Sequence, residues 1–333
     1  MAPAAETAPG RPIVAYLLAP SHAGSTLLAM LLASHPDVCT TGELKATSLG
    51  DPNRYRCSCG APIRACGFWR AISRAMEARG HAFDITNAGT HITTGASAYE
   101  ERLLRPLVRG GTLEALREGA LALSPSWRQR LARFQAVNAA LVDSVCATAG
   151  ARVVVDSSKV GIRLKYLLRN PALDVRVVRL VRDGRAVALT YTDPANFADA
   201  TAAHLRGGGD GSGRDHERLS MRDAAREWRR SVEEAEGLLA SLPSSQHTTV
   251  AYEMLCTNTD AVLRELWTFL GVPPHPFAPG WRRKNQHVIG NGMRFDATED
   301  VRVDERWRTA LDEASLAVFE AEAGALNRRF GYR

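Results

Sequence analysis

The chain has 333 residues, 45% hydrophobic and 23% charged, which is enough apolar material to bury one large core or two smaller ones. Its net charge of +6 favours an anionic ligand, but it has no Lys/Arg block of the polybasic kind, so a nucleic-acid partner is not expected. No apolar run approaches the roughly 20 residues that span a bilayer, and residues 1–11 lack the basic start and apolar centre of a signal peptide. They read as a disordered tail ahead of one domain, 12–333. A cytoplasmic protein without a membrane anchor is expected.

The first element is an apolar run, Ile13 to Leu18, which stops at Pro20. The chain then turns through Ser21-His22-Ala23-Gly24-Ser25-Thr26 into the helical pattern LLAMLLASH, so strand, tight loop and helix 25–34 follow one another. A small-residue loop entering a helix offers free backbone N–H groups at the positive end of a helix dipole, and so can hold phosphate or sulfate. Gly24 lets the backbone approach an anion, and Ser25 and Thr26 add hydroxyls. An ordinary strand-to-helix connection would look the same, so this stretch alone leaves both readings open.

Residues VCTTGELK place Gly42 and Glu43 in a loop beside the first one. Residues 45–150 read as a helical insertion, with 68–80, 98–110, 111–123 and 126–150 all carrying the helical period. Within it Cys57, Cys59 and Cys66 cluster. Their spacing is not CxxC and no second ligand pair follows, so a structural or incidental role is expected ahead of zinc or redox chemistry.

A second strand, ARVVVD, ends in Asp156-Ser157-Ser158-Lys159, and a third, VRVVRLV, ends in Arg182-Asp183-Gly184-Arg185; each leads into a helix. Asp156 is expected to cap its helix. Strand, polar loop and helix thus recur three times, the pattern of a parallel sheet wound with helices, whose strand-end loops line one crevice. Residues 206–218, RGGGDGSGRDHER, read as a mobile loop. Helix 220–241, a strand HTTVAYEML, helix DAVLRELWTFLGV, the Gly/Asn-rich basic segment WRRKNQHVIGNGMRF and one final helix from Glu305 to Phe330 complete the chain.

The ordered set PSHAGSTLL, HPDVCTTGE, VVVDSSK and RLVRDGRAVALT, with TTVAYEML and HVIGNGMRF late in the chain, resembles the sulfotransferases that use 3'-phosphoadenosine 5'-phosphosulfate (PAPS). The resemblance covers 12–45, 151–192 and 248–296, and is nearest the carbohydrate and tyrosylprotein branches and bacterial members. It implies an α/β fold: a P-loop-like parallel sheet flanked by helices, with the helical insertion. It also implies PAPS as co-substrate and a hydroxyl acceptor, read as a small molecule or natural product, with a carbohydrate or tyrosyl peptide as the alternative. Ala23, Gly24, Ser25 and Thr26 would hold the 5'-phosphosulfate. Arg182 and Thr190 would hold the 3'-phosphate, with Asn291 and Arg294 as further candidates for that phosphate or the ribose. Glu43 would be the general base, its pKa lifted by burial, while Lys159, helped by His22 when protonated, would stabilise the leaving group. No metal is called for.

The sequence departs from the family pattern at His22, which stands where Arg or Lys is usual and would make activity pH-dependent. Gly184 replaces the usual Pro, and Thr190 the usual Ser. Two other classes remain: a kinase of related architecture, although the Gly-Lys-Ser/Thr phosphate loop is absent, and a nucleotide-binding protein without chemistry.

Overall fold

The computed structural model describes residues 11–45, 49, 51–104, 110–197, 218–282, 286–296 and 298–333. All of the expected tail but Arg11, and all of the expected loop 206–218 but Arg218, lie outside the described residues. The strands are β1 (Ile13–Leu18), β2 (Val38–Gly42), β3 (Val153–Asp156), β4 (Asp174–Val181) and β5 (His247–Ala251). They form one parallel sheet in the order β2-β3-β1-β4-β5. The helices are α1 (Ser25–Leu32), α2 (Gly67–Glu77), α3 (Ala98–Leu104), α4 (Gly110–Leu123), α5 (Pro125–Ala149), α6 (Gly161–Leu167), α7 (Gly184–Thr192), α8 (Pro194–Phe197), α9 (Met221–Leu239), α10 (Tyr252–Thr257), α11 (Thr259–Phe269), α12 (Trp307–Ala310), α13 (Glu313–Phe319) and α14 (Ala325–Arg329).

Side chains alternate across a strand, and β1 shows what that does to the core. Val14, Tyr16 and Leu18 face a cluster with Trp69, Leu141 and Leu164, from α2, α5 and α6, while Ala15 and Leu17 face Leu28, Leu255 and Trp267, from α1, α10 and α11. The sheet is therefore covered on both faces, which is why its central strands read as continuous apolar runs. A third cluster packs Val187 and Ala188 of α7 against Trp228 of α9 and Phe319 of α13.

Local signals set several boundaries. Ser124 accepts a hydrogen bond from the Trp127 amide at 3.3 Å, Pro125 opens α5, and Gly150, at φ 64°, ends it. Ser220 caps α9 in the same way.

Three expectations change. Val38–Gly42 is a strand, not only a loop approach, pairing with β3 at the sheet edge. The strand read through TTVAYEML stops at Ala251, where α10 begins. The final helix is broken after Ala310 by an extended Leu311 and an Asp312 that caps α13 through the Ser315 amide, and residues 320–324 form a π turn.

Because β1 lies between β3 and β4, the chain leaves it on both sides, creating the crevice in which open α/β sheets bind ligands. The loops after β1, β2, β3 and β4 all open at that end.

Candidate active site

The loop after β1 is built for close approach. Gly24 sits at φ 92°, and a Cβ there would come within 2.6 Å of the Tyr252 ring. No side chain caps α1, so the first-turn amides of Ser25 and Thr26 face the loop without a capping acceptor. Among the four loop residues expected to offer amides, the Ala23 N–H is engaged, donating to the Pro20 carbonyl at 3.3 Å. His22 adopts φ 64°, a conformation rare outside glycine.

Arg182, at the end of β4, reaches this loop. Its Nη1 donates to the His22 carbonyl at 2.8 Å, and its guanidinium lies over the Tyr252 ring, 4.5 Å from the centroid. Its Nη2 donates to Asp304, at 3.0 Å from Oδ2 and 3.1 Å from the main-chain carbonyl. Arg182 is only 6% exposed, and its Nε has no hydrogen-bond partner among the described residues. A buried guanidinium whose Nε–H has no acceptor is poised for one. Asp183 pairs instead with Arg185 at 2.7 Å.

The Pro expected at 184 cannot fit. The Gly184 amide donates to Asn327 Oδ1 at 2.8 Å, and a Cβ would stand 2.6 Å from Phe319 and 2.8 Å from Trp228.

Glu43 and Lys159 meet although 116 positions separate them. Lys159 Nζ lies 2.5 Å from Glu43 Oε1, and Lys45 Nζ lies 3.3 Å from Oε2. Burial acts to raise the Glu43 pKa, but the two ammonium groups outweigh it and hold the carboxyl at about 2. The expectation of a base lifted toward neutrality by burial is therefore corrected: in the free protein Glu43 is ionised, and it is weakened as a base by its partners.

A buried polar network fixes this pair. Asp156 is fully buried and accepts from the Leu44 amide at 3.2 Å, the Ser158 amide at 3.0 Å and Arg163 Nε at 3.0 Å. Arg163, 1% exposed, also donates to the Thr90 carbonyl at 2.5 Å and Asn138 Oδ1 at 2.7 Å. Thr90 donates to the Leu44 carbonyl at 2.6 Å, and Ser158 Oγ accepts from the Lys45 amide at 3.0 Å. The segments carrying Glu43 and Lys159 are thus held to each other through the insertion. Asp156 serves this network instead of capping α6, whose N-cap is Val160. Neither Arg163 nor Asn138 was singled out in sequence, since each sits within a plain helical pattern.

Gly42, at φ 83°, allows the sharp exit into Glu43, and a Cβ there would stand 2.0 Å from the Ile289 carbonyl. Replacing Gly42 by Ala is expected to destabilise the protein by about 3 kcal/mol or more through strain and overlap. Denaturant unfolding checks this: an unchanged midpoint would remove the steric argument.

The side chains of the remaining candidates have other partners. The Thr190 hydroxyl, 3% exposed, donates to the Ala186 carbonyl at 3.1 Å and has no second proton for a phosphate. The His22 ring meets Tyr191 edge-on at 4.8 Å, while its neighbour Ser21 shares a cavity with Lys45 and Lys159. Asn291 accepts from the Met293 amide at 2.9 Å, shaping a turn. Arg294, 4% exposed, is a structural pin: it donates to the Gly290 carbonyl and, at 2.9 Å, to the Arg56 carbonyl, and it packs over Tyr55 and Phe295.

Beside Lys159 a cavity of about 420 Å³ is lined by Lys45, Glu101, Leu104, Glu227, Arg230 and Glu234, among others. Its size suits a small ligand. Burial raises the Glu234 pKa, against the lowering effect of Arg230.

A parallel sheet thus carries, at the ends of its strands, a glycine loop leading into a helix, a buried arginine against that loop and a carboxylate-lysine pair, an arrangement whose chemistry suits an anionic ligand. The family model described as "Sulfotransferase family" matches residues 122–276. The match includes α5, which the sequence resemblance left out, together with Lys159, Arg182 and Thr190.

Among curated relatives, human carbohydrate sulfotransferase 6 is 31% identical over 174 residues, covering 50% of this chain and 44% of the relative. Human carbohydrate sulfotransferase 3 is 29% identical over 173 residues, covering 51% of this chain and 36% of the relative. The chain therefore spans less than half the length of these relatives. A solved sulfotransferase domain from the curacin biosynthetic pathway aligns over 98% of this chain and 99% of its own, at 18% identity and a TM-score of 0.47.

Proposed function

We propose that the protein is a sulfotransferase that moves a sulfonyl group from PAPS to the hydroxyl of an acceptor. The observation that carries this reading is the Glu43–Lys159 pair standing at one end of the sheet with the Gly24 loop and Arg182. The amides of Gly24, Ser25 and Thr26 hold the 5'-phosphosulfate, and Arg182 holds the 3'-phosphate through its planar fork. Asp304 already occupies part of that fork, so nucleotide binding displaces or shares this contact. Thr190 joins only by giving up its bond to Ala186.

In the transfer, the acceptor oxygen attacks sulfur in line as Glu43 takes its proton. The bond from sulfur to the bridging oxygen breaks, its electrons remain on the 5'-phosphate, and adenosine 3',5'-bisphosphate leaves. Lys159 stabilises that developing charge. A lysine drawn toward the phosphosulfate is also drawn away from Glu43, which strengthens the base when the donor is in place. The ion pair in the free protein is thus a resting state, and donor binding arms it.

The cavity beside Lys159 is read as the acceptor site. Its polar lining fits a hydroxyl-bearing small molecule or natural product. The relatives named carbohydrate sulfotransferases make a sugar hydroxyl the second acceptor class to test.

Incubation with radiolabelled PAPS and panels of both classes is expected to give labelled acceptor and the bisphosphate in equal amounts. In Glu43→Gln the rate should fall about 10²- to 10⁴-fold with donor binding retained. Transfer to no acceptor in either panel, or undiminished transfer by Glu43→Gln, would remove the reading or the base.

A further inference from the structure

Away from the cleft, the loop 55–66 brings three thiols and an imidazole together. The Sγ atoms of Cys57, Cys59 and Cys66 and a ring nitrogen of His287 all lie within 4.8 Å of one another. Cys59 and Cys66 Sγ are 3.7 Å apart, and His287 Nδ1 lies 3.6 Å from Cys57 Sγ and 3.3 Å from Cys66 Sγ. A tetrahedral zinc with bonds of about 2.3 Å to sulfur and about 2.05 Å to nitrogen has S···S edges of about 3.8 Å and S···N edges of about 3.5 Å. The three separations of 3.7, 3.6 and 3.3 Å are close to the edges of such a tetrahedron, and the remaining pairs lie within 4.8 Å.

We infer that Cys57, Cys59, Cys66 and His287 form a structural zinc site.

The spacing of the cysteines hid it because the fourth group comes from 221 positions along the chain. The surroundings are those of a built site. Gly60, at φ 83°, turns the loop so that its amide bonds the Cys57 carbonyl at 2.8 Å and Ala61 accepts from the Cys57 amide at 3.0 Å. The His287 ring is fixed by stacking on Phe68, centroids 4.5 Å apart and planes 6° from parallel. Ser58 ties the two segments from the main chain: its Oγ donates to the Gln286 carbonyl at 2.6 Å, and its amide donates to the Val288 carbonyl at 3.2 Å. Cys57 and Cys66 are fully buried. Four protein ligands close the coordination sphere, which makes the site structural and leaves no position for substrate.

The clamp has a consequence for the cleft. The 286–295 segment that it anchors runs directly behind Glu43: the Ile289 amide donates to Thr41 at 2.9 Å, the Gly290 amide donates to the Tyr55 hydroxyl at 2.7 Å, and a Cβ at Gly290 would stand 3.3 Å from Glu43 Cγ. Zinc would therefore lock the floor beneath the carboxylate without touching the reaction.

The test uses the full chain purified under reducing conditions from zinc-supplemented cells. Metal analysis is expected to return about one zinc per chain, and cobalt exchanged into the same protein should give the intense visible bands of a tetrahedral thiolate site. The double variant Cys57→Ser, Cys66→Ser should lose the zinc, and Cys146→Ser, outside the cluster, should keep it. Zinc well below one per chain with no cobalt bands, metal retained by the double variant, or an intact mass showing Cys59 and Cys66 joined as a disulfide in the native protein would overturn the assignment. The cobalt spectrum of the unaltered protein decides the matter even if the variants do not fold.

Discussion

Lys159→Ala is expected to do two things at once: lower kcat about 10²- to 10³-fold and move the acid limb of the kcat/KM profile upward. The first follows from removing the cation proposed to face the leaving oxygen. The second follows from the balance at Glu43, where burial raises the pKa and Lys159 is the largest opposing influence, with Lys45 behind it. While both lysines are present the carboxyl sits at about 2, so the free enzyme should show no Glu43 limb between about pH 5 and 8. Without Lys159 the burial contribution is less opposed and the limb climbs.

The same shift carries a stability term of defined sign. Glu43 has a folded pKa below its ordinary value of 4.5, so its contribution is complete above that value and is lost as pH falls toward 2. Lys159→Ala should therefore flatten the acid side of the stability profile. A slow variant whose pH profile stayed where it was would leave Lys159 a role in catalysis but contradict the ion pair as the force that sets Glu43.

The largest effect on stability is expected at Arg163→Ala, about 3–5 kcal/mol, because it leaves the fully buried Asp156 carboxylate without its cation. The Asn138 side chain and the Thr90 carbonyl lose donors in the same step. The Leu44 and Lys45 segment is held through the same groups, so surviving protein should also lose turnover. Pairing Asp156→Asn with Arg163→Met should recover part of the stability, since Asn retains an acceptor for the Leu44 and Ser158 amides while both buried charges disappear. Denaturant unfolding of the two variants makes the comparison, and a double variant less stable than Arg163→Ala alone would contradict a net charge penalty.

The parallel sheet was legible in the sequence because its central strands, Ile13–Leu18, Val153–Asp156 and Asp174–Val181, are apolar runs closed by polar strand-end loops. The edge strand Val38–Gly42 was not, since its two threonines and glycine resemble a turn and only its pairing to β3 makes it a strand. The convergence of Glu43, Lys159 and the Gly24 loop followed from the winding rule for parallel sheets. The charge state of Glu43 did not, because it depends on where two flexible lysine side chains settle.

Arg294 looked like a phosphate ligand in a Gly/Asn-rich basic segment, yet three-dimensional packing gives it two carbonyls and two rings instead. His287 is the opposite case. Its sequence surroundings say nothing about three cysteines more than two hundred residues away.

Calorimetric titration with adenosine 3',5'-bisphosphate, beside adenosine 5'-monophosphate and the Arg182→Ala variant, tests most directly whether one doubly phosphorylated nucleotide joins the Gly24 loop to Arg182. The bisphosphate should bind the unaltered protein more tightly than the monophosphate, and Arg182→Ala should weaken it about 10- to 150-fold while leaving the monophosphate nearly unaffected. Equal binding of the two nucleotides, or an Arg182→Ala protein that still prefers the bisphosphate, would contradict the account.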